Sequence, residues 1–137
     1  MKRAGFDAIV ITGKSDNPTW LNIDNEAVSF EDAGEWWGKD RVTTYQEISR
    51  KLDKKHSIAT IGPAGENQVT TANIMFEPEH YADRGGLGAV LGAKKVKAIC
   101  IGGNQKPVPK GSSNRLRAIR MDSWEYLDNT VHSGYWH

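Results

Sequence analysis

An arginine followed at once by two glycines, Arg84-Gly85-Gly86, with Gly88 and Gly92 close behind, is the part of this chain richest in chemistry. Glycine lets a backbone come within contact distance of a ligand where a Cβ would interfere. The surrounding run, YADRGGLGAVLGAKKVKAICI over residues 81–101, predicts a basic glycine-rich turn that opens a short helix and then feeds an apolar strand. The first amides of such a helix lack intrahelical acceptors and the dipole is positive there, while the guanidinium adds a planar fork of donors. Together these groups suit phosphate or another anion. The same letters support a packing role, because Gly88 and Gly92 lie four apart on one helical face, where small residues admit a close neighbour. The two roles are compatible. The spacing is neither the dinucleotide G-x-G-x-x-G nor a P-loop ending in G-K-[ST].

Other chemistry is thin. The four histidines, His56, His80, His132 and His137, are far apart and form no H-x-x-x-H, so no metal site is expected. No serine sits in a G-x-S-x-G elbow and no Cys and His can be paired for nucleophilic catalysis, so no catalytic residue is assigned. The single cysteine, Cys100 in the apolar run AICI, rules out an internal disulfide and any cluster held by this chain's own thiolates. It reads as a small buried hydrophobe. Eighteen basic and 17 acidic side chains leave a net charge of +1, which gives no reason to expect nucleic acid or membrane attraction. No apolar run approaches the roughly 20 residues that span a bilayer, and the N-terminus has no signal-type core, so the cytoplasm is the expected compartment. The pair Trp36-Trp37 between glycines is expected to anchor an irregular connection, with a stacking platform as the alternative. Glu66 and Asn67 are expected either to cap their loop or to support a cofactor.

The elements that must position these residues follow from periodicity. Residues 6–12, FDAIVIT, form a short β-branched apolar run that predicts a buried strand. Residues 19–24 and 27–30 predict a hairpin about Asp24-Asn25, and residues 57–61 and 69–76 two further strands. In TTYQEISRKLDKK the spacing of Tyr45, Ile48 and Leu52 makes one apolar helical face. At 137 residues the chain has room for one domain, and the elements predict an α+β fold. Its mixed or antiparallel sheet takes strands near Phe6, Thr19, Ala27, Ser57, Val69 and Val96, and its two main helices lie near Thr43 and Gly85. Residues 102–114 read as an exposed linker, residues 116–127 hold a possible short helix, and the HSGYWH ending is expected to be poorly structured. The expected division is therefore 1–103 and 104–137.

Three stretches in order, GFDAIVITGK (5–14), IGPAGEN (61–67) and DRGGLGAVLGAKKVKAI (83–99), with a supporting WGKD (37–40), resemble the N-terminal domain of tungsten-containing aldehyde ferredoxin oxidoreductases. The likeness covers residues 2–103. It implies a β-rich base for a tungsten or molybdenum bis-pterin cofactor, with Arg84, Gly85, Leu87 and Gly88 contacting the pterin. Pterin sulfurs would grip the metal, so the chain need offer no metal ligand. The resemblance also implies a 4Fe-4S cluster and acid-base residues in helical domains that this chain does not match, and a ferredoxin-like electron acceptor for the assembled enzyme. One departure stands out: Asp83 occupies a position where the family commonly has glycine. A core-type strand so soon after Met1 reads as a chain that starts inside a domain. The expected role is a cofactor-base fragment or subunit, inactive without its remaining domains; the alternative is a stand-alone binding or structural module that keeps the fold without the cofactor.

Overall fold

A computed structural model of the chain describes residues 1–52, 56–77, 80–106, 111 and 113–128. It contains two compact units, Met1–Lys106 and Pro107–His137. The first unit is built on a six-stranded mixed sheet in the order β2-β1-β6-β3-β4-β5. These strands are β1 (Thr19–Asp24), β2 (Ala27–Asp32), β3 (Ser57–Thr60), β4 (Ile74–Phe76), β5 (His80–Ala82) and β6 (Val96–Gly102). Only the β1–β6 pairing is parallel. Asn25, at φ 56°, makes the β1–β2 turn, a left-handed conformation that asparagine tolerates.

One sheet face carries helix α1 (Arg41–Lys51) and the buried pair Trp20 and Trp36, whose rings meet edge to face at 5.5 Å. Ile48 projects from α1 into this core beside Ile58, Ala98 and Cys100, and Tyr45 and Leu52 pack at its margin. The expected apolar stripe thus faces the core. Asp40 starts the helix two residues before the predicted helical run: its Oδ1 accepts from Val42 N and Thr43 N at 2.9 and 3.0 Å, satisfying amides that the first turn leaves open. Those bonds, led by the one from the Thr43 hydroxyl at 2.6 Å, hold the Asp40 carboxyl below its ordinary value. Of the pair Trp36-Trp37, Trp36 is buried in this core and anchors the connection between β2 and α1, while Trp37 is half-buried. Cys100 is buried too, and burial pushes its thiol up to about 12, which removes it as a nucleophile.

Three expectations need correction. Residues 6–12 are not a strand of the sheet: Phe6, Ile9 and Ile11 pack on Leu21 and Ile23, but the segment lies outside every ladder. Its apolar side chains are met by lying against the sheet, so apolar burial alone did not place it in the sheet. The 69–76 strand shortens to Ile74–Phe76, because Val69 N and Ala72 N bond Ala64 O and Val69 O in turns. Its β-branched residues cover a corner instead of a ladder. Conversely His80–Ala82, a stretch with no predicted strand, pairs with β4. Residues 53–55 and 78–79, most of the 107–112 stretch and residues 129–137, including His132 and His137, lie outside the described residues. In the second unit the possible short helix is α4, Ser113–Asp128.

Candidate functional site

The Arg84 turn leaves β5 and enters helix α3 (Leu87–Ala93), which leads directly into β6. Gly85 and Gly86 take φ of 84° and 65°, left-handed values that explain the adjacent glycines. Gly86 is the N-cap and no side chain caps α3, so the Asp83 carboxylate does not serve as its cap. Among the described residues the amides of Gly85, Gly86 and Leu87 have no acceptor. Arg84 is exposed and makes no hydrogen bond or ion pair among them. A Cβ built on Gly85 would meet nothing within 4 Å. The turn therefore exposes Gly85 and Leu87, whose amides are unpaired, beside a free guanidinium, with Gly86 buried between them, an arrangement suited to an anion.

The remaining glycines do the packing. Gly88 N donates to Ala72 O at 3.0 Å, and a Cβ at Gly88 would stand 2.5 Å from Asn73 O. Gly92 lies against the backbone of Gly65 in α2 (Pro63–Glu66), and a Cβ at Gly65 would lie 2.9 Å from Gly88 O. Gly86 backs onto Thr70 O. Helices α2 and α3 can touch backbone to backbone only because these positions lack side chains. Of the four residues singled out, Arg84, Gly85 and Leu87 share the exposed turn, whereas Gly88 is buried beneath it.

Two cations near this framework escaped sequence reasoning. Lys97 has no exposed surface; its ammonium bonds Lys39 O at 2.7 Å and pairs with Glu66. Glu66 also accepts from Gly38 N at 2.9 Å. Neither a loop cap nor a free ligand, Glu66 ties α2 to β6 and to the WGKD turn. Asn67 does cap, with Nδ2 donating to Pro63 O at 2.9 Å. A register shift in the β1–β6 pairing leaves Lys97 between the paired Val96 and Ala98, a bulge that takes it out of strand alternation. Burial lowers the Lys97 pKa, and the hydrogen bond and charge of Glu66 oppose that shift. The single charged letter in VKAICI was the available signal. The second cation is Arg41, whose guanidinium lies 4.8 Å from the Tyr81 ring centroid and donates to Asn73 Oδ1 at 3.0 Å. It borders a cleft of about 440 Å³ shared with Gly62, Ala64 and Thr71. A lone arginine at a helix start offers no periodic signal.

The family described as "Aldehyde ferredoxin oxidoreductase, N-terminal domain" matches residues 1–103. The chain belongs to the aldehyde ferredoxin oxidoreductase family. A tungsten-containing aldehyde ferredoxin oxidoreductase of Pyrococcus abyssi is 45% identical over 121 residues, which is 88% of this chain and 20% of the relative. The Pyrococcus furiosus enzyme of the same name is 38% identical over 98% of this chain and 22% of the relative. An aliphatic sulfonate oxidoreductase, WOR-like subunit, of Pyrococcus furiosus is 33% identical over 93% of this chain. Among solved structures, the active-site complex BamBC of benzoyl coenzyme A reductase, in complex with 1,5-dienoyl-CoA, superposes with a TM-score of 0.86 at 34% identity. That match covers 93% of this chain and 19% of that one. The chain thus spans about a fifth of the length of its oxidoreductase relatives.

Proposed function

We propose that this aldehyde ferredoxin oxidoreductase domain is the base on which a tungsten or molybdenum bis-pterin cofactor rests in an oxidoreductase completed by further domains or subunits. The observation that carries the proposal is the run of three unpaired amides at Gly85, Gly86 and Leu87 beside the free Arg84 guanidinium. These residues fit the group: each pterin bears a phosphate and a hydrogen-bonding ring edge, which call for close backbone approach and a charged fork. In this assignment Arg84 binds phosphate, the amides of Gly85 and Leu87 bind the polar edge, and Gly88 seats the turn against Ala72. When bound, the cofactor supplies two-electron oxidation at a metal held by pterin sulfurs. Electrons would leave through a 4Fe-4S cluster in the remaining domains toward a ferredoxin-like acceptor, in the cytoplasm.

The names of the relatives favour this division of labour. One is named for aldehydes, one for sulfonates and one was solved with a dienoyl-CoA, yet the same fifth is present in all three. A part shared across such different substrates suits the common cofactor better than substrate choice. A second reading, a module that keeps the fold without the cofactor, draws on Asp83, whose exposed carboxylate sets a negative charge beside Arg84.

Titrating the purified chain with inorganic phosphate and with a pterin phosphate tests the site. Arg84→Ala should weaken binding by about 1.5–3 kcal/mol, the range for a charged hydrogen bond, while leaving the melting temperature alone. An unchanged affinity, measured where the parent binds detectably, would remove Arg84 from the site.

A further inference from the structure

We propose that the cleft between the start of α1 and residues 71–73 binds a small organic carboxylate, with Arg41 and Asn73 as its polar contacts, at a site separate from the Arg84 turn. The cleft holds about 440 Å³ and is bordered by Asp40, Arg41 and Val42, by residues 62–65, and by Thr71, Ala72 and Asn73. Arg41 is half-buried. Its guanidinium lies 4.8 Å from the Tyr81 ring centroid, and Nη1 donates to Asn73 Oδ1 at 3.0 Å. A guanidinium held in this way loses little freedom when a ligand arrives. Among the described residues one N–H of its fork is used, so the rest stays open.

The balance of donors and acceptors around the cleft decides what chemistry it takes. The acceptors are spent. Asp40 Oδ1 accepts from Val42 N and Thr43 N, its Oδ2 from the Thr43 hydroxyl and its carbonyl from Thr44 N. Arg41 O accepts from the Thr60 hydroxyl at 3.3 Å, and Gly62 O from Gly65 N at 2.9 Å. Ala72 O accepts from Gly88 N, and the Asn73 carbonyl is turned toward the same glycine, 2.5 Å from where a Gly88 Cβ would lie. The donors are left over. With Asn73 Oδ1 committed to Arg41, the open end of that amide is Nδ2. Among the described residues neither Nδ2 nor the backbone amides of Gly62 and Asn73 find an acceptor. A lining with spent acceptors and spare donors calls for a ligand that only accepts, which is an oxyanion.

Charge and shape narrow the class. Asp40, whose carboxyl is held below its ordinary value, brings a negative charge to the border of the cleft. Beside the single positive charge of Arg41 it disfavours a dianion such as phosphate. A carboxylate brings one charge and a planar pair of oxygens that match the guanidinium fork. Val42, Pro63, Ala64 and Ala72 supply apolar walls, and the volume exceeds what a bare ion needs, so a short hydrocarbon tail fits beside the carboxylate. None of Arg84, Gly85 and Leu87 borders the cleft.

The test is to titrate the full, isotope-labelled chain with sodium butyrate at constant ionic strength and follow it by NMR. The Arg41 Nε–H, the Asn73 Nδ2 pair and the Gly62 amide should shift together and saturate, while the amides of Gly85 and Leu87 stay in place. Asn73→Asp separates binding from packing. It keeps an acceptor for Arg41, and so the tie between α1 and residues 71–73, but replaces the donor to the ligand by a negative charge. Butyrate should bind this variant at least tenfold more weakly with no loss of melting temperature. Arg41→Met, which retains an apolar stem over Tyr81, should weaken butyrate as much; if it disturbs the fold, Asn73→Asp carries the test. Arg84→Ala should bind butyrate like the parent, so failure of the phosphate turn and failure of this cleft are distinguishable. The proposal is overturned if butyrate gives no saturable shift, if Asn73→Asp binds it like the parent, or if inorganic phosphate saturates the same signals more tightly. Loss of butyrate binding in Arg84→Ala would also overturn it, by making the cleft part of the Arg84 site.

Discussion

Among the described residues Lys97 is the charged side chain with no exposed surface, which is tolerable only if its charge is answered. Glu66 and the Lys39 carbonyl answer it. Removing one member of a buried pair strands the other, at a cost of about 3–5 kcal/mol, whereas replacing both by apolar groups is often close to neutral. Lys97→Met alone should therefore lower unfolding stability by about that amount in urea, and Lys97→Met with Glu66→Leu should recover most of it. Equal losses in the single and double variants would show that the pair is not the cause. Asp40 offers a test with a pH signature. Its carboxyl is held below 3.8 by the amides and hydroxyl it accepts from, so its contribution is fully present above 3.8 and fades as pH falls through the lower folded value. Asp40→Ala should melt below the parent at neutral pH, and the gap should narrow on acidification below 3.8.

At the scale of the element, α3 is positioned by what its glycines lack. Gly92→Ala would drive a Cβ into the Gly65 backbone, which cannot yield without separating α2 from α3. A loss of about 1–3 kcal/mol or more is expected in denaturant unfolding. Gly85→Ala meets no atom within 4 Å and bears only the cost of its left-handed φ, about 1–2 kcal/mol. Valine at Gly85 and at Gly88 should part in binding: Gly85→Val should block the approach of a pterin phosphate to the backbone, whereas Gly88→Val should act through the fold. Should Gly92→Ala prove as stable as the parent, the close approach of the two helices would not govern this end of the molecule.

For the whole molecule, the chain carries the family's N-terminal domain and spans about a fifth of the length of its relatives. Among the described residues no group of three or more His, Cys, Asp or Glu could hold a metal ion, and the one thiol is buried. Among the same residues no helix is long and apolar enough to cross a membrane. Supplied with pterin cofactor but without the remaining polypeptide, the chain should show no aldehyde oxidation with an artificial electron acceptor, because it brings no cluster ligands and no placed acid-base group. Turnover by the isolated, metal-replete chain would contradict that.

Periodicity and punctuation were enough to read the β1–β2 hairpin, the α1 core face, the buried Cys100 and the passage from the Arg84 turn through α3 to β6, because each is decided by residues within about ten positions of one another. Family membership was legible for the same reason, through three local runs of glycine and apolar letters. Longer-range relations decided the rest. Whether residues 6–12 join a ladder depends on which backbone edges lie beside them, and composition is silent on that. The sheet order, with β6 between β1 and β3, emerges only when strands far apart in the chain are paired. The burial of Lys97 depended on a carboxylate 31 residues away in sequence, whose helix is held against α3 by glycines that no local pattern could assign to contact over catalysis.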